Sequence, residues 1–144
     1  MSKLFYSLLM VTLLFACEKE EENTLAEVNT LKVEIDGSDW QAPISSVSET
    51  NGVIQIQAFK NSDSSSVDVF FTTQTFGSYT LPSQSNIQLS YSKGNFSWNQ
   101  IIEGNINILS NDDGNYAGSF RARLRSANAS SVKNLAKGSF SYER

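Results

Sequence analysis

Leu31-Lys32-Val33-Glu34-Ile35-Asp36-Gly37-Ser38-Asp39-Trp40 is the stretch on which the fold class turns. Leu31, Val33 and Ile35 alternate with Lys32, Glu34 and Asp36, the period of a half-buried strand. Asp36-Gly37 follows, a pair preferred in two-residue hairpin turns because both central positions need positive φ. The turn fixes a register of Ile35 opposite Ser38, Val33 opposite Trp40 and Leu31 opposite Ala42. Cross-strand partners share a face, so Trp40 joins Val33 on the apolar side. The register argues for a core indole, against an exposed sugar-stacking one. Pro43 ends the second strand or leaves it at an edge.

The same grammar continues outward. Ile44 to Phe59 repeats it around Asn51-Gly52, pairing Val47 with Ile56, Glu49 with Ile54 and Ser45 with Ala58. Asn61 to Ser66 reads as a polar loop and Val67 to Thr73 as the next strand. Pairing Lys60 with Val67 puts Ala58 against Val69 and Ile56 against Phe71. Gln55, Gln57, Phe59, Phe70 and Thr72 then share the opposite face. Amides beside aromatic rings make this a candidate binding surface, with Phe59 and Phe70 as its rings; the alternative is a face covered by another segment.

Phe76 to Pro82 is a short strand. Ile87, Leu89 and Tyr91 alternate up to a turn at Lys93-Gly94-Asn95, and Phe96 and Trp98 follow at spacing two. Any two-residue loop there puts Phe96 and Trp98 on the face of Leu89 and Tyr91. Such a cluster serves as a stacking platform or as a cap on the core, since aromatic rings carry much of core burial. Ile106 and Ile108 begin another strand. Asn111 to Asn115 has oxygen donors at short spacing but lacks the spaced carboxylates and distal Glu of a calcium loop, and reads as a turn. Beyond it Phe120, Ala122 and Leu124 face inward, so Arg121, Arg123 and Arg125 line up outward. That row suits anionic sugars or lipid headgroups, or simply pairs with acids across the sheet. Gly138-Ser139-Phe140-Ser141-Tyr142 closes the chain and echoes Gly118-Ser119-Phe120.

Composition narrows function by exclusion. The 144 residues carry a net charge of −4 and contain no histidine. An acidic domain lacks the footprint for nucleic acid. Without His, the commonest general base and zinc ligand is absent. The carboxylates Asp36, Asp39, Asp112 and Asp113 sit at turns, and no pair is set at a working separation. The expectation is a non-catalytic domain without a cofactor or metal.

The single cysteine, Cys17, marks a boundary. Met1-Ser2-Lys3 is a positive start and Leu4 to Ala16 a mainly apolar run, too short for a bilayer span of about 20 residues and of signal-peptide length. Leu14-Phe15-Ala16-Cys17 resembles the bacterial lipobox, which implies a diacylated thiol; two or more acyl chains anchor stably. Glu18-Lys19-Glu20-Glu21 is similar to the export tract of Bacteroidota surface lipoproteins, and is also what a solvated, extended tether looks like. With Glu34-Ile35-Asp36-Gly37, Trp40 and the two Gly-Ser-Phe strands, the chain resembles small uncharacterised lipoproteins of that group. The resemblance implies a membrane partner through the anchor and a surface location, and carries over no catalytic or binding residue.

The organisation expected is a signal peptide over 1–16, a lipidated Cys17 with an acidic tether over 17–28, and an all-β domain over 29–144. Eight to ten short strands with turns every 8–12 residues suggest an antiparallel β-sandwich, with a flattened β-barrel as the alternative. The functional expectation is a surface module for a glycan or protein ligand, built on Phe59 and Phe70, on Phe96 and Trp98, or on the arginine row. A structural or accessory subunit of an envelope complex is the other reading.

Overall fold

The computed structural model describes residues 25–82, 86–127 and 130–144. Cys17 and the acidic tract Glu18, Lys19, Glu20 and Glu21 lie outside the described residues. Within them the chain forms nine antiparallel strands: β1 Thr30–Ile35, β2 Ser38–Thr50, β3 Val53–Lys60, β4 Ser65–Thr72, β5 Gly77–Leu81, β6 Gln88–Lys93, β7 Phe96–Asp112, β8 Asn115–Ser126 and β9 Val132–Tyr142. A short 3-10 turn over Asn61–Asp63 joins β3 to β4.

The sheet closes on itself. The order β7-β6-β4-β3-β2-β1-β9-β8 returns to β7, and β5 adds to β7 beyond the end of the β6 pairing. The all-β antiparallel expectation therefore takes its closed form, the barrel, and not two facing sheets. Eight strands enclose a space that side chains alone fill. Leu31, Ile54, Ile56, Ala58, Val67, Val69, Phe71, Leu89, Ile108, Leu124 and Phe140 all fall at 0 % exposure in that interior. Fully burying one such aliphatic or aromatic side chain is worth about 1.5–3 kcal/mol.

The first hairpin has the register that its turn dictates: Ile35 with Ser38, Val33 with Trp40, Leu31 with Ala42. Asp36 and Gly37 take φ of 49° and 81°, as a type I′ turn requires. Trp40 is a core residue, and its indole N–H donates to Ser65 Oγ at 2.8 Å.

Two register details differ from expectation. Ala58 pairs with Ile44 and not with Ser45, because Ser45 is an extra residue that bulges from β2. Lys60 pairs with Ser65 and not with Val67, so Ala58 meets Val67 and Ile56 meets Val69. The connection is shorter than its polar composition suggests: Ser64 takes φ 53° and turns the chain early, and Ser65 and Ser66 already belong to the ladder. The displacement is two residues, an even number, so every side chain keeps its expected face.

β7 is one strand where the sequence suggests two. Extra residues at Asn99, Ile102 and Leu109 interrupt its ladder with β8. Each bulge resets the alternation and bends the strand. Trp98, Ile101 and Ile106 all pack with the core despite their uneven spacing. β9 likewise absorbs an extra residue near Lys137, whose φ is 52°. Such corners let long strands wrap a small barrel.

Candidate functional site

Antiparallel connections divide the barrel into two ends and a wall. One end gathers the turns at Asp36-Gly37, Asn61–Ser64 and Gly94-Asn95, together with the start of β9. The other gathers the start of β1, the turns at Asn51-Gly52 and Asp113-Gly114, and the end of β9. Residues preceding β1 therefore enter at the second end.

The Asp36 end carries the aromatic cluster. Tyr91 pairs with Trp98, and their rings stack at 5.4 Å with 23° between planes. Trp98 is buried at 7 % exposure, its indole N–H donates to Ser131 Oγ at 3.0 Å, and Lys133 Nζ lies 5.3 Å from the ring centroid. Phe96 is on the same face but one step beyond the last interior layer, and is 64 % exposed. Trp98 thus caps the core, and Phe96 alone stands out in solvent.

Acidic and basic groups close over this cap. Lys133 Nζ donates to Asp36 Oδ2 at 2.6 Å and the Asn134 backbone N–H donates to Asp36 Oδ1 at 2.9 Å. Burial pushes the Asp36 carboxyl up, yet those donors and the Lys133 charge outweigh it and the pKa is lowered. Asp63 accepts from Ser65 Oγ and lies 3.6 Å from Lys93 Nζ. The Ser65 hydroxyl is the largest influence on Asp63 and, with Lys93 and Lys60, lowers its pKa against a smaller effect of burial. The Tyr91 phenol is pushed up, first by burial and then by the Asp63 and Asp36 charges. Asp36, Asp63, Lys93 and Lys133 each have a protein partner, so this end behaves as a structural cap.

The outward wall of β3, β4 and β6 is built differently. Gln55, Gln57 and Phe59 point out from β3, and Ser66, Asp68 and Phe70 from β4. Ser90 and Ser92 point out from β6, opposite Asp68 and Ser66. Asp68 faces away from the core and is still only 8 % exposed. Its Oδ1 accepts from Gln57 Nε2 at 2.9 Å and Gln55 Nε2 at 3.2 Å. Its Oδ2 accepts from Ser66 Oγ at 3.3 Å and Ser90 Oγ at 3.4 Å. Ser66 and Ser92 hydroxyls bond to each other at 2.8 Å. A buried carboxylate is rare without a paired cation, and here its partners are amides and hydroxyls. Phe59, 38 % exposed, and Phe70, partly buried, flank the array.

Phe59 and Phe70 do not form one platform. Phe59 pairs with Ser66 and Phe70 with Gln55, an offset of four residues, or about 14 Å diagonally at strand and sheet spacings. The polar array lies between the two rings. Asp68 is the residue that sequence reading missed. A charge inside Val67-Asp68-Val69-Phe70 is the available signal, but the two-residue register error sets Asp68 opposite Phe59 and away from the glutamines.

The arginine row is outward and exposed, as its alternation implies. Arg121 Nε donates to Asn105 Oδ1 at 3.0 Å, and Arg123 Nη1 donates to Glu103 Oε1 at 2.8 Å. Both side chains of the Arg123–Glu103 pair are well exposed, and such a pair contributes little. Arg121 and Arg123 border a shallow cleft of about 500 Å³ with Leu81, Gly104, Ala122 and Leu135. Arg125 stands closer to the Asp36 end, opposite Gln100 and Val132. Asp113-Gly114 is a two-residue turn with φ of 46° and 86°, joining Asp112 to Asn115.

A family model described as a domain of unknown function, DUF6252, matches residues 28–142. The chain belongs to the DUF6252 family. The match starts just before β1 and ends with β9, so the whole barrel is the DUF6252 domain. No curated protein and no solved structure matches the chain. Among the described residues of this DUF6252 domain, no helix is long and apolar enough to cross a membrane.

Proposed function

We propose that this DUF6252 domain is a non-catalytic, glycan-binding module, held on the outer face of an outer membrane by lipid attached to Cys17. The observation that carries the binding reading is the β3–β4–β6 wall, where Asp68 organises two amides and two hydroxyls between Phe59 and Phe70. Aromatic faces and directed amide and hydroxyl groups are what recognition of a hydroxylated ring requires. The lipobox-like Leu14-Phe15-Ala16-Cys17 and the Glu18-Lys19-Glu20-Glu21 tract support the location. The chain enters β1 at the end remote from Phe96.

The test is affinity electrophoresis and calorimetry of the purified full chain, in mild detergent, against a polysaccharide panel. Binding to at least one glycan, weakened by Phe59→Ala or Phe70→Ala, is the expected result. Binding that neither substitution changes would sink this placement of the site.

A further inference from the structure

We infer that Asp68 is a positioning residue that sets the wall to recognise neutral oligosaccharides with adjacent free hydroxyls. The inference rests on the glycan-binding reading above and specifies its ligand. A carboxylate oxygen accepts hydrogen bonds and offers no proton. Each glutamine facing Asp68 must therefore turn its NH2 toward the carboxylate, and both do, at 2.9 Å and 3.2 Å on the same oxygen. That choice fixes what the amides present elsewhere. Each retains Oε1 as an acceptor and a second N–H as a donor, because Asp68 engages only one of the two amide N–H groups. An amide edge of this kind matches two adjacent ring hydroxyls, one donating and one accepting.

The two amides also repeat along the strand. Gln55 and Gln57 are separated by two residues on β3, about 6–7 Å of strand rise. Phe59 continues the line at the next outward position, and Phe70 lies across the ladder from Gln55. Backbone positions about 14 Å apart for the two phenylalanines, with the amides between them, suit an occupant longer than one sugar. The seryl hydroxyls of Ser66, Ser90 and Ser92 extend the polar strip on the β6 side.

The charge of the strip selects against acids. Ion pairs among the described residues include those of Lys93 with Asp63, Arg123 with Glu103, Lys133 with Asp36 and Lys137 with Glu34. Asp68 is in none of these, and its hydrogen-bond partners Gln55, Gln57, Ser66 and Ser90 are all uncharged. A carboxylate or sulfate on the ligand would approach this uncompensated negative charge in a partly desolvated setting, where repulsion is strong. Uronic and sulfated glycans are therefore disfavoured, although the arginine row on β8 alone would have suggested them.

The experiment measures Kd of the full chain for neutral oligosaccharides, uronic acid oligomers, the methyl esters of those oligomers, and sulfated galactans. Neutral or esterified ligands should bind best, with Asp68→Asn and Gln57→Ala each weakening them at least tenfold. Asp68→Asn should also narrow the gap between an ester and its parent acid. A purely structural role for Asp68 would lower the melting temperature and leave Kd and that gap unchanged in the folded fraction. Should Asp68→Asn fail to fold, Gln57→Ala and the ester-to-acid ratio of the wild type carry the test. An acidic glycan as tightest ligand, or unaltered Kd in both variants, overturns the inference while leaving glycan binding intact. Absence of binding to every glycan overturns both.

Discussion

Gly118 and Gly138 show how a single missing Cβ shapes this barrel. Gly118 pairs with Phe140 and Gly138 with Phe120, so each ring lies over the opposing glycine. A Cβ on Gly118 would stand 2.7 Å from Phe140 Cζ, and one on Gly138 would stand 2.5 Å from Phe120 Cε2. The echo of Gly-Ser-Phe in the sequence is this reciprocal pairing, not a repeat. Overpacking a core costs about 1–3 kcal/mol, and Gly138→Ala should destabilise by that amount in urea unfolding; a neutral effect would show that Phe120 moves aside freely. Between the two pairs, Ser139 is fully buried and its hydroxyl has no hydrogen-bond partner. Removing an unsatisfied buried donor recovers about 1 kcal/mol, so Ser139→Ala should raise the urea midpoint. Asp36 gives a pH signature at the same scale. Its pKa, like that of Asp63, is lowered from the ordinary 3.8. A lowered folded-state pKa means stability that is fully present well above 3.8 and is lost as pH falls through the folded value. The melting temperature should fall as pH drops below about 4, and Asp36→Asn, which suits the same turn, should flatten that acid limb.

At the scale of the element, the β6–β7 hairpin is the narrow seam of the barrel. Three register pairs join the two strands, from Tyr91–Trp98 to Lys93–Phe96, and Gly94 supplies the positive φ of the turn at 58°. The Tyr91–Trp98 stack and the Trp98–Ser131 bond therefore hold closure where backbone pairing is thin. Trp98→Ala should cost about 3–5 kcal/mol, as large aromatic deletions do, whereas Phe96→Ala, at an exposed site, should change stability by about 0.5 kcal/mol or less. Equal effects would mean that the cap is not what secures the seam. The strands themselves were largely legible. Val33–Trp40 and Val47–Ile56 could be paired in advance because Asp-Gly and Asn-Gly name their own turn type. Ser45, Asn99 and Ile102 could not be recognised as bulges, because an extra residue in a ladder leaves no local mark and depends on the partner strand. The faces of Phe59, Gln57 and Phe70 survived a wrong register because the error was even. Asp68 did not gain its significance until the true register set it against Gln57.

For the whole molecule, closure is the decision that no segment contains. Inward and outward residues alternate in a sandwich and in a barrel alike, and the difference lies in which strand β7 meets on each side. Here β7 meets β8 on one edge and both β6 and β5 on the other. The chain enters β1 at the end opposite the Trp98 cap. Cys17→Ser should move the protein from the membrane fraction to the soluble one, read by fractionation and mass of the N-terminal peptide; continued membrane retention would refute lipid attachment. Alanines at Lys19-Glu20-Glu21 should abolish protease accessibility on intact cells if that tract directs export.

The sequence alone determined the β class, the turns and most inward and outward faces. These follow from local rules: period-two alternation, the positive φ of Asp-Gly and Asn-Gly, and the burial of Trp40 opposite Val33. Only the tertiary structure decided that the sheet closes, that Trp98 is a cap while Phe96 is not, and that Asp68 stands among Gln55, Gln57, Ser66 and Ser90. Those outcomes depend on contacts between residues far apart in the chain, where one bulge or a two-residue shift changes which side chains meet without altering any local pattern.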